Sequence, residues 1–191
     1  MCHKHREASV EISDIHSLCT TLDEGKKVKF IFFWGHKESG SSISKACFSQ
    51  WYESKFEHDG VMYLTAEHYM MAEKARLFSD DYALSKILNA KDPGEAKAIG
   101  REVVGFDQLK WEESRIDIVV RGNLLKFQIP ELREFLINTK NRVLVEASPV
   151  DRIWGVGLAQ DSDLINNPRK WRGINLLGFA LMKVRSMLND T

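Results

Sequence analysis

Helix start signals recur through the middle of the chain and constrain its fold more than any other feature. Each is an N-cap side chain or a proline ahead of residues that favour helices, and they stand at Thr65, Ser79, Asp92 with Pro93, and Pro130. Two further segments, 111–127 and 174–188, place apolar residues at roughly helical spacing. A chain with this many helix signals is predicted to be mainly α-helical.

A few short strands are expected between these helices. The segment 27–35 is rich in β-forming residues and ends in glycine, and 142–148 is a second short strand. Asp59 and Gly60 form a turn signal between two alternating segments, which predicts a hairpin. The prediction is an α+β, mainly α-helical, compact single domain over residues 27–191, preceded by an N-terminal extension over residues 1–26.

Composition excludes any global attraction to nucleic acid or membranes. Of the 191 residues 43% are hydrophobic and 28% charged, an ordinary globular balance. Lys plus Arg and Asp plus Glu both number 27, so the formal net charge is zero. Any anionic ligand must therefore be held by a local basic pocket.

The cysteines and the chain start predict a compartment. Cys2, Cys19 and Cys47 are odd in number and widely spaced, which favours a reducing environment over a disulfide framework or a zinc site. The start of the chain has no apolar stretch that could serve as a signal peptide, and the longest apolar runs are too short to cross a bilayer. We expect a cytoplasmic protein with no metal, no cofactor and no membrane partner.

The stretch from Thr65 to Lys74 holds the most informative charges. Glu67 and Lys74 are seven residues apart, so on a helix they share one face, about 10 Å apart along the axis. Met70 and Met71 lie between them, which does not resemble a solvated ladder of charges. The helix dipole should keep Glu67 ionised. The alternative is that Glu67 is only a helix-start charge and Lys74 a surface lysine.

A loop of 25 residues, 149–173, is the other unusual feature. Loops of this length inside a compact domain are uncommon and are usually functional or disordered. Trp154 and Trp171 favour function, because disordered loops tend to lack tryptophan. The neighbouring glycines, Gly155, Gly157 and Gly173, could let the backbone approach a sugar or phosphate closely.

Several motifs, in order, resemble the NADAR family, also called YbiA-like. The segments that carry the resemblance are "TAEHYMMAEKA", "AIGREV", "KWEESRIDIVVRGNLLKF", "VLVEASPVDRIWGVGL" and "WRGINLLGFALMKVR". The resemblance implies a compact, largely helical α+β domain with N-glycosidase activity. Its substrates would be riboflavin-pathway ribosylamine 5′-phosphates or ADP-ribosylated guanine in a nucleotide, DNA or RNA. Both share a ribosyl C1′–N bond.

The resemblance also implies the site residues. Expected catalytic residues are Glu67, Lys74, Glu146 and Asp151. Expected substrate-binding residues are Trp34, Gly35, Ser49, Arg101, Trp154, Gly155, Trp171 and Asn175. Met71 replaces a glutamine of the family pattern, and the family's "F-S-N-F" element is present only loosely as Phe48 to Trp51.

The chemistry of a C1′–N bond suits these residue types. Its cleavage builds positive charge on the sugar, which a carboxylate such as Glu67 can stabilise or use to activate water. Lys74 offers a covalent route through a Schiff base if burial lowers its pKa. Tryptophan can stack on the leaving base. The alternatives are a non-catalytic ADP-ribose or nucleotide-binding module and a plain structural or interaction protein.

Overall fold

The computed structural model describes residues 12–38 and 40–190 of the chain. Within these ranges seven α-helices dominate, and four short strands stand between them. The elements in chain order are α1 (Ile15–Asp23), β1 (Phe30–Phe33), β2 (Phe56–His58), β3 (Val61–Tyr63), α2 (Ala66–Leu77), α3 (Asp81–Leu88), α4 (Pro93–Arg101), α5 (Gln108–Lys126), α6 (Pro130–Ile137), β4 (Val143–Glu146) and α7 (Leu176–Asn189). The predicted α+β, mainly helical class is confirmed.

The local start signals account for most helix boundaries. The Thr65 side chain accepts a hydrogen bond from the His68 N–H and begins α2 at the predicted residue. The Asp92 side chain begins α4 in the same way. Ser79 was the wrong cap for α3: it adopts a left-handed conformation with φ of 57°, and the next residue, Asp80, accepts the N–H of Ala83 instead.

The strands form two separate pairs. β2 and β3 are antiparallel around Asp59 and Gly60, both of which have positive φ, so the predicted hairpin is confirmed. β1 and β4 are parallel, with Phe33 opposite Glu146. Because parallel strands run in the same direction, the carboxyl ends of β1 and β4 meet at one edge. This edge is called the carboxyl edge below.

β4 separates two hydrophobic cores because its side chains alternate between its faces. Leu144 packs into the main core, which α2 to α7 surround, while Val143 and Val145 belong to a second core. Leu18 of α1 is fully buried in that second core. This helix falls within the extension predicted for residues 1–26, of which residues 1–11 lie outside the described part; the boundary at residue 27 stays a prediction.

The described cysteines, Cys19 and Cys47, are free thiols, and Cys2 lies outside the described residues. Among the helices of the described ranges, none combines the length and the apolar character needed to span a membrane.

Candidate active site

The carboxyl edge places the first acid of the site. Glu146 is the last residue of β4, and Trp34 follows directly after β1. The Glu146 N–H donates to the side-chain oxygen of Asn175 over 3.0 Å, and the Asn175 side-chain nitrogen donates to the Leu144 carbonyl over 2.9 Å. Asn175, which precedes α7, therefore fixes the end of β4 and with it the position of Glu146.

The start of α2 places the second acid. The Glu67 N–H donates to the Gln50 carbonyl over 2.9 Å, which ties the helix start to the segment that carries Trp51. The Glu67 side chain is only 2% exposed, and its Oε1 atom has no hydrogen-bond partner among the described residues. The Trp51 side chain lies close enough to the Glu67 carboxyl group to lower its pKa as a hydrogen-bond donor. A buried carboxyl oxygen without a partner is costly and marks a functional candidate.

The pKa values of both carboxyl groups are raised toward neutral pH. Burial raises the pKa of Glu67 to about 7, even though Lys97, Trp51 and Arg101 act to lower it. Burial also raises the pKa of Glu146 to about 8, with Asp151 and Glu67 adding to the rise. The helix dipole was expected to keep Glu67 ionised, but desolvation outweighs it because the carboxyl group is almost completely enclosed.

Asp151 is the third acid of the site, and its negative charge acts on the carboxyl groups of Glu67 and Glu146. It raises the pKa of Glu67 and of Glu146 through its negative charge. Its Oδ1 atom accepts the N–H groups of Ile153 and Trp154 over 2.9 and 2.8 Å, so the carboxylate is held by a tight turn of the loop. The three predicted acids are thus brought together from an α-helix, a strand and a loop.

Two cations of α4 face this acid cluster. Lys97 lowers the pKa of both Glu67 and Glu146, and its ammonium lies 5.9 Å from the centre of the Trp51 ring. Arg101, four residues later, lowers the pKa of Glu67 and is exposed at the surface. Residues four apart lie on one helix face, so α4 directs both cations to the same side. Arg101 was predicted, whereas Lys97 was missed.

Lys74 bonds to α4 and forms no ion pair with the three acids among the described residues. Its ammonium donates to the Gly100 carbonyl over 2.7 Å and lies 4.4 Å from the centre of the Phe106 ring and 5.5 Å from that of Trp111. Burial and the charge of Arg101 lower the pKa of Lys74, in the predicted direction. Its bonding partners are those of a packed lysine, and its catalytic role stays a prediction.

The two tryptophans of the loop lie in different surroundings. Trp171 donates its indole N–H to the Ile165 carbonyl over 2.8 Å and packs edge-on against Phe30 in the second core. Trp154 is partly buried against the main core. Trp34 is 60% exposed at the carboxyl edge. Trp51, which the sequence analysis did not select, is the indole that contacts Glu67.

The remaining predicted binding residues have contacts that shape the chain around the site, and their binding roles stay predictions. A side-chain carbon at Gly155 would meet the Glu146 carbonyl oxygen at 2.9 Å, so this glycine admits close approach of the loop to β4. Asn175 is fully buried. The Ser49 hydroxyl accepts the Trp51 N–H over 3.1 Å, which shapes the turn before Trp51. Gly35, with φ of 83°, is exposed after β1 with open space around it.

Met71 fills the space where the family pattern has a glutamine. A side-chain carbon at Gly100 would lie 2.1 Å from the Met71 sulfur, so helices α2 and α4 are in direct contact there. Met70 and Met71 are both buried, and the face of α2 between Glu67 and Lys74 is packed rather than solvated. No cluster of three or more His, Cys, Asp or Glu side chains able to hold a metal ion occurs in the described ranges.

Comparison with known proteins places the chain in a family. The sequence profile of the NADAR domain matches residues 32–189. The chain belongs to the NADAR domain family. It is 40% identical over 163 residues to a protein of Acanthamoeba polyphaga mimivirus named N-glycosidase R617, covering 82% of this chain and 95% of that protein.

Two more similarities extend this result. The chain is 38% identical over 135 residues to the chloroplastic riboflavin biosynthesis protein PYRR of Zea mays, covering 66% of this chain but only 20% of that larger protein. The NMR structure of the Escherichia coli protein YbiA superposes with a TM-score of 0.67 at 26% identity, covering 86% of this chain and 88% of that one. The fold and the family predicted from the motifs are both confirmed.

Proposed function

We propose that the protein is an N-glycosidase that hydrolyses the bond between C1′ of a ribosyl group and the nitrogen of a base or amine. The observation that carries this proposal is the pair of carboxyl groups of Glu67 and Glu146, each with a buried oxygen that lacks a partner among the described residues. Both titrate near neutrality, as groups that exchange protons with a substrate must. The name of the mimivirus relative supports the same reaction class.

The two acids can divide the proton transfers between them. Because its pKa is raised to about 8, Glu146 can hold a proton at neutral pH and give it to the departing nitrogen. Because the pKa of Glu67 is raised to about 7, Glu67 can also lose its proton near neutral pH and then stabilise the cationic sugar or deprotonate the attacking water. Carboxyl groups with pKa values raised toward neutrality can serve as such acids and bases. Asp151 adds negative charge beside the cationic transition state.

The amine of the site is Lys97 in this mechanism. Its cation lowers the pKa of both acids and therefore holds them within the neutral range. Where the substrate opens its ring, the Lys97 ammonium first gives a proton to the ionised Glu67 carboxylate, and the neutral amine then attacks C1′ while the base departs with a proton from Glu146. Water then hydrolyses the imine and releases the lysine. Lys74, the residue expected in this role, is engaged by the Gly100 carbonyl.

Two substrate classes fit a ribosyl C1′–N bond. The similarity to PYRR, a riboflavin biosynthesis protein, favours a ribosylamine 5′-phosphate of that pathway. ADP-ribosylated guanine, in a nucleotide or in DNA or RNA, is the second candidate and follows from the motif resemblance. Arg101, exposed beside the acids, is the proposed phosphate contact for either. The cytoplasm is the expected compartment.

The test is an assay of the purified protein against both substrates, with released base and sugar identified by mass. Wild-type protein should release base from at least one of them, and Glu67→Gln and Glu146→Gln should not. Glu73→Gln is the matched control, because Glu73 lies on the same helix but pairs with Arg76. Binding of ADP-ribose without any base release from either substrate would favour the non-catalytic module instead.

A further inference from the structure

A basic groove of about 990 Å³ lies at the amino ends of β1 and β4, away from their carboxyl edge. One wall is the segment 26–29, which leads into β1, and a second is residues 140 and 141, which precede β4. The third wall is a face of α7 that runs from Leu176 to Asn189. None of the three acids of the candidate active site lines this amino-edge groove, so it is a separate feature of the molecule.

Positive charge is concentrated in the amino-edge groove, although the whole chain has a formal net charge of zero. Among the described residues no Asp or Glu lines the groove, whereas six cationic side chains do: Lys26, Lys27, Lys29, Lys140, Lys183 and Arg185. Lys26 pairs with Glu24 over 2.7 Å, and Lys183 pairs with Asp117 over 3.5 Å. The other four cations form no ion pair with a described residue. Four uncompensated charges favour an anionic ligand.

Arg185 is the buried member of this set, with only 6% of the residue exposed. Its Nη1 atom donates to the Thr139 hydroxyl over 2.6 Å and to the Arg142 carbonyl over 2.9 Å, and both acceptors are neutral. Burial and the positive charge of Arg142 lower the pKa of Arg185 to about 10. A buried cation without an opposite charge is costly to the fold, and an anion bound in the groove would offset that cost.

The charge and the lining of the groove restrict the class of anion. A carboxylate would offset one of the four cations and a phosphate monoester about 1.5–2, whereas a diphosphate ester offsets more. Val28, Leu176 and Met182 add partly exposed aliphatic surface to the same groove. Among the described lining residues Phe179 is the one aromatic, and it is only 6% exposed, so the groove presents no ring on which a nucleobase could stack.

We propose that the amino-edge groove binds the diphosphate ester of an aliphatic alcohol. Its phosphate oxygens accept hydrogen bonds from Lys27, Lys140 and Arg185, and its hydrocarbon chain lies on Leu176 and Met182 of α7. Lysine and arginine side chains bind phosphate oxygens through charge-assisted hydrogen bonds, and the chain gains affinity by leaving water. The proposal concerns a site separate from the N-glycosidase reaction and does not depend on it.

The binding test is calorimetric titration of the full chain with three probes: geranyl diphosphate, inorganic pyrophosphate and ADP. Wild-type protein should bind geranyl diphosphate at least about tenfold more tightly than pyrophosphate, because only the former has a chain to bury. It should also bind geranyl diphosphate at least about tenfold more tightly than ADP, whose planar base finds no exposed ring in the groove. Equal affinity for pyrophosphate, tighter binding of ADP, or no binding of geranyl diphosphate would each overturn the proposal.

A charge-reversal variant locates the binding in the groove. Lys27→Glu/Lys140→Glu changes two exposed side chains and should weaken geranyl diphosphate binding at least about tenfold. Lys86→Glu is the matched control, because Lys86 is exposed on α3, which contributes no residue to the groove, and it should bind as wild type does. Unchanged binding by the double variant would refute the assignment. Base release by the double variant should stay within twofold of wild type, and a wild type without base release would refute only the proposed function.

Discussion

The two ends of helix α2 carry charges in opposite situations. At its C-terminal end, Lys74 is paired with a carbonyl oxygen and lies against two aromatic rings. At its N-terminal end, Glu67 is buried with an oxygen that has no partner among the described residues. Both charges lie on one helix only seven residues apart, yet one is satisfied by the protein and the other is not.

This difference distinguishes a charge that stabilises the fold from a charge that is available for a reaction. Lys74 lowers the energy of the folded chain by bonding the last turn of α4 to α2. Glu67 raises that energy when it is ionised, because burial removes water that its charge needs. A fold retains such a group where its partner is a substrate or a transition state. The predictions below test this contrast from its largest expected effect to its smallest.

The first prediction concerns Glu67, at the N-terminal end of α2. Glu67→Gln should lower kcat about a thousandfold, because the amide neither exchanges a proton nor stabilises a cationic sugar. The same change should leave the free energy of unfolding at pH 8 equal or higher, since it removes a buried charge. Steady-state kinetics and urea unfolding measure both. A loss of kcat smaller than about threefold in Glu67→Gln would contradict the distinction drawn between Glu67 and Lys74.

The second prediction exchanges the two lysines. Lys97→Met should lower kcat/KM about a hundredfold, and it should move the pH profile upward because Lys97 holds down the pKa of both acids. Lys74→Met should change kcat/KM less than threefold but lower the free energy of unfolding by about 1–2 kcal/mol, because it leaves the Gly100 carbonyl unpaired. A larger loss of kcat/KM in Lys74→Met than in Lys97→Met would instead support Lys74 as the amine of the site.

The third prediction is a stability that falls with pH. Glu67 and Glu146 have pKa values raised from an ordinary 4.5 to about 7 and about 8, so between these limits the folded chain binds more protons than the unfolded one. Stability is therefore highest at low pH within this window and should fall by at least about 2 kcal/mol as pH rises from 5 to 8. Urea unfolding of Glu67→Gln/Glu146→Gln should show most of that slope removed.

The fourth prediction, the smallest, concerns the loop tryptophan. Trp171→Phe should lower the free energy of unfolding by about 1 kcal/mol, because the Ile165 carbonyl loses its donor. Activity should stay within twofold of wild type, since this ring lies in the second core. An activity loss above tenfold without a change in stability would return Trp171 to the substrate site.

Local rules predicted the elements that depend on neighbouring residues. The cap at Thr65, the proline after Asp92 and the turn at Asp59 act over three or four residues, and the structure confirms all of them. The grouping of Glu67, Glu146 and Asp151 came through the family motifs. No spacing rule could have given it, because an α-helix, a strand and a loop supply one acid each.

Long-range packing decided what the sequence analysis missed. Trp51 reaches Glu67 because the Gln50 carbonyl accepts the Glu67 N–H, a bond between residues 17 positions apart along the sequence. Lys97 lies close enough to act on both acids through its charge because α4 packs against α2. The raised pKa of Glu67 has the same origin: the helix dipole is a local effect, whereas enclosure comes from the rest of the chain.

The titration of the two buried acids tests the central claim most directly. Carbon-13 NMR of glutamate labelled at the side-chain carboxyl carbon follows each group, with Glu67→Gln and Glu146→Gln providing the assignments. The account predicts two carboxyl groups that lose their protons near pH 7 and near pH 8. Ionisation of both groups near pH 4.5, as in ordinary exposed glutamates, would contradict it.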